Sequence, residues 1–219
     1  MAFKKNDQNS WSLINKKAYE KKGKAYDLVR PLKLYGYLSK YFKKTLSRYL
    51  SKSKSSRIID AGCGTGNSTY FLDKCVLNCE IKGIDQAKKM LDVAKQKKFR
   101  NKVSFEQISI EELSSENKYD AIQFFQVIHH FKDIRVVLSA SERVLKKDGV
   151  IFFIDFFSRN PFVKFLNFIY CNFLGQGKYY SRDFNLAKTQ LKKNGYSVLE
   201  IKTHPVFMNY SLIVAKKIN

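Results

Sequence analysis

The run Asp60-Ala-Gly62-Cys-Gly64-Thr-Gly66 is the sharpest chemical signal in this sequence. Glycine is required where φ turns positive, or where backbone must approach a ligand without a Cβ in the way. The apolar stretch Arg57–Ala61 before it reads as a short buried strand, and Asn67–Cys75 after it reads as a helix. A glycine turn between a strand and a helix opens space at the carboxyl edge of an α/β sheet, where such sheets bind ligands. The spacing is GxGxG, whereas dinucleotide sites use GxGxxG and aim a helix N-terminus at a pyrophosphate. An acid at Asp60 would repel a diphosphate. It suits an ammonium group carried by a nucleoside.

Asp85 closes the next apolar run, Glu80–Asp85. A carboxylate at that strand end can accept both hydroxyls of a ribose. Together the two acids and the glycines point to S-adenosyl-L-methionine, a nucleoside bearing an amino acid. His129 and His130 follow a fourth apolar run, Tyr119–Phe125, and are the candidate general bases. Cys63, Cys75, Cys79 and Cys171 form no CxxC pair, and the histidines complete no zinc pattern, so no metal site is expected.

These residues need a frame, and the frame is an alternation of strands and helices. Strands are expected at 57–61, 80–85, 103–107, 119–125, 149–155, 196–202 and 209–216. Helices are expected at 67–75, 86–98, 134–145 and 181–194, the last closed by Gly195 as a left-handed cap. Such alternation argues for a mainly parallel sheet covered on both faces. The last two strands follow one another without a helix, so one of them must run antiparallel. Ahead of the sheet, 10–26 reads as a loose helix. A stronger one follows Pro31, with Leu34, Leu38, Phe42, Leu46 and Leu50 on one face. Residues 1–56 are read as an N-terminal helical lid segment and 57–219 as the ligand-binding domain.

The net charge is +22, and residues 1–57 hold 16 Lys/Arg against 3 Asp/Glu. A basic lobe attracts polyanions, which makes nucleic acid or an anionic membrane surface rival partners. Only eight of the 41 basic residues are arginine, which argues against base reading. No apolar run reaches the ~18–20 residues that span a bilayer, and the N-terminus has no signal-peptide pattern. A cytoplasmic location is the expectation.

In this order of motifs the sequence resembles the class I S-adenosylmethionine-dependent methyltransferases, and within them the group containing ubiquinone/menaquinone methyltransferases. Asp60–Gly66 resembles the first motif, and Gly83-Ile-Asp85 the second-strand motif. Tyr119–Ile122 leading into Val127-Ile-His-His-Phe131 resembles the fourth strand and its turn. Arg143–Gly149 resembles the helix and turn before the fifth strand. Tyr26-Asp27-Leu-Val-Arg30-Pro31 resembles an N-terminal segment that folds over the cofactor in relatives. The resemblance implies a Rossmann-like seven-stranded sheet with its last strand antiparallel. It implies a cofactor site built from Tyr26, Arg30, Asp60, Gly62, Gly64, Gly66, Asp85, Gln86, Ser109, Ile110 and Gln126. Relatives often carry an acid after the third strand to bind adenine, and here that place reads Ser109-Ile110.

The reaction implied is an in-line methyl transfer to a small-molecule acceptor. Alignment of donor and acceptor alone can contribute roughly 7–11 kcal/mol. The acceptor pocket is expected between the N-terminal helices and the insertion 156–184. Phe162, Phe165, Leu166, Ile169, Tyr170 and Phe173 recur there at helical spacing, as a lid helix on the core, a roof for an apolar acceptor, or a membrane-grazing face. RNA methylation by the basic lobe and a cofactor-binding regulator without activity are the alternatives.

Overall fold

The computed structural model describes residues 5–29, 32–50, 55–114, 118–131, 133–157, 161–162, 165, 168–169, 184–204 and 210–218. Arg30, Pro31, Leu166, Tyr170, Cys171 and Phe173 fall outside them.

Seven strands form one sheet in the order β3-β2-β1-β4-β5-β7-β6. They are β1 (Ser56–Ala61), β2 (Cys79–Asp85), β3 (Lys102–Gln107), β4 (Tyr119–Phe125), β5 (Leu145–Phe156), β6 (Tyr196–Thr203) and β7 (Tyr210–Lys217). β7 lies between β5 and β6 and is antiparallel to both. The other pairs, β1 with β2 and β4, β2 with β3, and β4 with β5, are parallel. The chain order reverses between β1 and β4, and the crevice at that switch point is where ligands bind in this architecture.

Among the described residues, helices include α1 (Lys5–Glu20), α2 (Ala25–Val29), α3 (Leu32–Leu50), α4 (Asn67–Cys75), α5 (Lys88–Ala94), α6 (Arg135–Val144) and α7 (Phe184–Lys193). The sheet separates two apolar layers. On one face Leu38, Phe42 and Leu46 of α3 and Phe71 and Leu72 of α4 pack on Ile58, Ala121 and Phe125. On the other, Val137 and Leu138 of α6 and Ala187 and Leu191 of α7 pack on Ile59, Ile122 and Phe124. Alternation along β1 and β4 assigns each residue its face. α3 therefore belongs mainly to the core, and its Tyr35 joins α1 and α2 in lining the cavity.

Three elements depart from expectation by more than three residues. The expected helix 10–26 is two helices, because the chain turns at 21–24 with Gly23 at φ +43°. α5 stops at Ala94, since the amides of Gln96 and Lys97 bond back only three residues, to Val93 and Ala94. The turn expected at Lys147-Asp148-Gly149 is a bulge inside β5: Tyr119 pairs with Leu145, yet Ala121 pairs with Val150. Of the aromatic stripe expected in the insertion, Phe162, Phe165 and Ile169 are 65%, 57% and 47% exposed, so these three do not pack on the core. Among the described residues no helix is long and apolar enough to cross a membrane.

Candidate active site

The glycine turn is fixed from two sides. The amides of Gly62 and Cys63 both donate to the Ile84 carbonyl at the tip of β2, at 2.8 and 2.9 Å. Gly62 has φ +74°, and a Cβ there would sit 2.6 Å from Val127 Cγ2. Only glycine lets the turn lie this close to the loop after β4. Gly66, at φ +82°, then opens α4.

Asp85 ties the turn to β2. Its Oδ2 accepts the Gly64 amide at 2.9 Å, and its Oδ1 accepts the Ala87 amide at 2.8 Å. Burial pushes this carboxyl up to about 6, against the opposing pull of the two amides.

A cleft of roughly 830 Å³, counting its open mouth, lies over this turn. Of the residues expected to bind cofactor, Gly62, Gly64, Asp85 and Gln86 line it from the first two strand tips. Ser109 and Ile110 line it after β3, Gln126 after β4, and Tyr26 from α2. Gln126 takes a left-handed φ of +55°, uncommon for a residue with a side chain, and its Nε2 donates to the Tyr210 hydroxyl.

Asp60, Gly66 and His129 do not line the cleft. Asp60 follows the face of Ile58, so its carboxylate lies buried beneath α4. There it accepts from Ser68 Oγ and Thr69 Oγ1 at 2.7 Å each and from Gln123 Nε2 at 3.0 Å. Burial raises its pKa, and the three hydrogen bonds oppose the rise. The other amide atom of Gln123, Oε1, is buried without a partner.

The two histidines occupy different environments on one short 3₁₀ turn, Ile128–His130. His129 is buried, with Nδ1 2.9 Å from each Asp155 carboxylate oxygen. His130 lines the cleft, and its Nε2 lies 2.9 Å from the Tyr19 hydroxyl. Of the two base candidates, only His130 faces the space where a reaction can occur.

Several lining residues escaped the sequence reading. Asn15 and Tyr19 sit one turn apart on α1 and share the face over the cleft. Their spacing was readable, but nothing local linked them to a loop more than a hundred residues away. Glu111, two positions beyond Ser109, also lines the cleft. Its loop is pinned by Arg143, whose Nη2 and Nε donate to the carbonyls of Glu111 and Leu113 at 2.9 and 2.7 Å. Ser109 itself turns aside, its hydroxyl bonded to Glu112 at 2.9 Å.

The described lining includes two acids, Asp85 and Glu111, and no lysine or arginine. Acceptors for sugar and amino groups without cations fit a neutral or cationic nucleoside and oppose a polyphosphate. Fold and site define a Rossmann-like nucleoside-binding α/β domain. A family model described as a methyltransferase domain matches residues 52–203. The chain belongs to that family, and the resemblance to class I S-adenosylmethionine-dependent methyltransferases holds.

A ubiquinone biosynthesis O-methyltransferase of Pelagibacter ubique is 34% identical over 101 residues, covering 45% of this chain and 41% of that protein. A ubiquinone/menaquinone biosynthesis C-methyltransferase of Campylobacter jejuni is 33% identical over 144 residues, covering 61% and 60%. The chain thus spans about half the length of these curated relatives. Among solved structures, a Burkholderia thailandensis 1,6-didemethyltoxoflavin methyltransferase with bound S-adenosylhomocysteine and 1,6-didemethyltoxoflavin superposes with a TM-score of 0.70. It is 16% identical and covers all of this chain and 92% of its own. That likeness supports the fold.

Proposed function

We propose that this chain transfers the methyl group of S-adenosyl-L-methionine to a small-molecule acceptor within the cleft at the β1/β4 switch point. The observation that carries the proposal is the Asp85 carboxylate, held against the glycine turn at the wall of a cleft whose described lining has no cation. In this reading Asp85 accepts the ribose hydroxyls, and Glu111 and the backbone around Ile110 receive the adenine. Gly62 and Gly64 let the nucleoside lie close to the backbone, and Gln126 meets the methionine end. Tyr26, with Asn15 and Tyr19, covers the bound molecule and excludes water. Bound there, S-adenosylmethionine supplies an electrophilic methyl on a sulfonium. His130 is the group that holds the proton an ionisable acceptor gives up.

Asp60 takes a different role from the one its spacing suggested. Buried beneath α4, it positions the start of that helix and Gln123 of β4, and the turn between them inherits that geometry. The exposed lysines of α3, Lys33, Lys40, Lys43 and Lys44, do not line the cleft, which weighs against their serving an RNA acceptor at this site.

Calorimetry with S-adenosylmethionine, S-adenosylhomocysteine and NAD tests the reading. Binding of the first two, weakened at least tenfold by Asp85→Ala, supports it. Tight binding of NAD with neither of the others overturns it.

A further inference from the structure

The proposed function leaves the acceptor open, and the cleft wall holds a pair with a bearing on it. Tyr19 comes from α1 and His130 from the turn after β4. The Tyr19 hydroxyl is 2.9 Å from His130 Nε2, and the rings meet edge to face with centroids 5.6 Å apart. Tyr19 also meets Tyr26 edge-on at 6.0 Å. Behind the pair, the His129 ring centroid lies 4.1 Å from that of His130, and Asp155 holds His129 in place. The imidazole at the cleft wall is thus braced from below and bonded to a phenol from above.

We propose that Tyr19 is a catalytic residue that acts with His130 to deprotonate a neutral aromatic hydroxyl acceptor, a phenol or an enol. The inference rests on the methyltransferase reading. A phenolic hydroxyl and a neutral imidazole each donate and accept hydrogen bonds. In contact, they can pass a proton along the pair while every oxygen and nitrogen keeps a partner. The described lining brings two carboxylates and no lysine or arginine, so it offers a carboxylate acceptor no cationic side chain to pair with, whereas a neutral hydroxyl needs none. The rings of Tyr26, Phe125 and Phe131 give the cleft apolar walls that suit a flat aromatic body.

The step balances. The acceptor oxygen–methyl bond forms as the sulfur–methyl bond breaks, and the electron pair of the broken bond stays on sulfur, which becomes a neutral thioether. The acceptor proton moves to Tyr19 Oη as the Tyr19 proton moves to His130 Nε2. The imidazolium then releases its proton to water at the mouth of the cleft, and both side chains regain their starting forms.

The test uses the full chain, labelled S-adenosylmethionine, and a set of phenols of graded acidity beside benzoate and aniline. Tyr19→Phe keeps the ring and removes one oxygen, and His130→Gln keeps a partner for Tyr19 but cannot take a proton. Both variants are expected to bind S-adenosylhomocysteine within about threefold of the parent and to lose about 10²–10⁴-fold in transfer to phenols. The loss should be greatest for the least acidic phenol, because an already ionised acceptor needs no base. A second readout is the visible absorbance of para-nitrophenol bound with S-adenosylhomocysteine, which should ionise at a lower pH in the parent than in Tyr19→Phe. Parent-like transfer by Tyr19→Phe, a loss independent of phenol acidity, or transfer only to benzoate or aniline overturns the inference. If S-adenosylhomocysteine binds and no phenol is methylated, this inference alone fails. If neither cofactor form binds, the methyltransferase reading fails with it.

Discussion

The Asp27 carboxylate accepts a hydrogen bond from the Thr65 hydroxyl at 2.6 Å, joining the short helix α2 directly to the glycine turn. The same oxygen accepts from Asn67 Nδ2 at 3.0 Å, and Lys97 Nζ lies 2.7 Å from the other oxygen. A second strap lies one helix earlier, where the Glu20 carboxylate accepts the Lys88 and Lys89 amides at the start of α5, at 2.6 and 3.3 Å. The α1–α2 segment is therefore fastened at two places, to the glycine turn and to the start of α5.

Loosening the first strap should weaken cofactor binding without unfolding the core. The Lys97 side chain is only 12% exposed, and burial lowers its pKa against the pull of Asp27. Asp27→Ala leaves that ammonium with less compensation, and a loss of about tenfold in S-adenosylhomocysteine affinity is expected. Lys97→Met should cost a similar amount. Because the two residues share one contact, the double variant should lose less than the sum of the singles. Calorimetry on the four proteins gives the answer, and full additivity would contradict the strap.

Cofactor affinity should depend on pH through Asp85. Burial pushes this carboxyl up to about 6, so lowering the pH through that value protonates the group expected to accept the ribose hydroxyls. Affinity should fall as pH drops through 6, and Asp85→Asn should flatten the dependence. Stability without ligand runs the other way. The folded carboxyl binds its proton more readily than the unfolded one, whose pKa is about 4. This group's contribution is therefore favourable at low pH and is lost as pH rises through about 6. Melting curves of the ligand-free protein across this window should show that sign.

Asp60 should behave as a structural residue. Asp60→Ala strips the acceptor from Ser68, Thr69 and Gln123 in a buried place, at a cost of about 1–3 kcal/mol. Asp60→Asn should be milder, because it keeps one oxygen for the hydroxyls and gains an amide that can reach the unpartnered Gln123 oxygen if that side chain flips. Denaturant unfolding measures both. A loss of affinity without a loss of stability would mean that Asp60 touches the ligand.

Gly62 should tolerate nothing larger. Gly62→Ala forces a Cβ to 2.6 Å from Val127 and holds alanine at φ +74°, the second effect alone costing about 1–2 kcal/mol. Adding Val127→Ala should recover the steric part and leave the backbone part. Melting temperatures of the single and double variants separate the two.

Much of this arrangement was legible in the sequence. The two final strands lacked a helix between them, and β7 indeed pairs antiparallel with both neighbours. The strand–glycine–helix order of 57–75 was visible because apolar periodicity is local. The direction of Asp60 was available too, since Ile58 and Asp60 share a face of β1, but the ligand-centred reading of the motif passed over it. The different fates of His129 and His130 were not legible. Adjacent residues of one type separate only when a 3₁₀ turn sends one toward Asp155 and the other to the cleft. Nor was Tyr19, whose partner is 111 residues away and is set by how α1 lies over the cleft.

Crystals grown with S-adenosylhomocysteine test the central claim most directly. The expected map shows the ribose hydroxyls within hydrogen-bond distance of Asp85, the adenine beside Ile110 and Glu111, and the sulfur on the side of Gln126 and His130. A nucleoside bound elsewhere, or one in the cleft with its sugar turned away from Asp85, would contradict it.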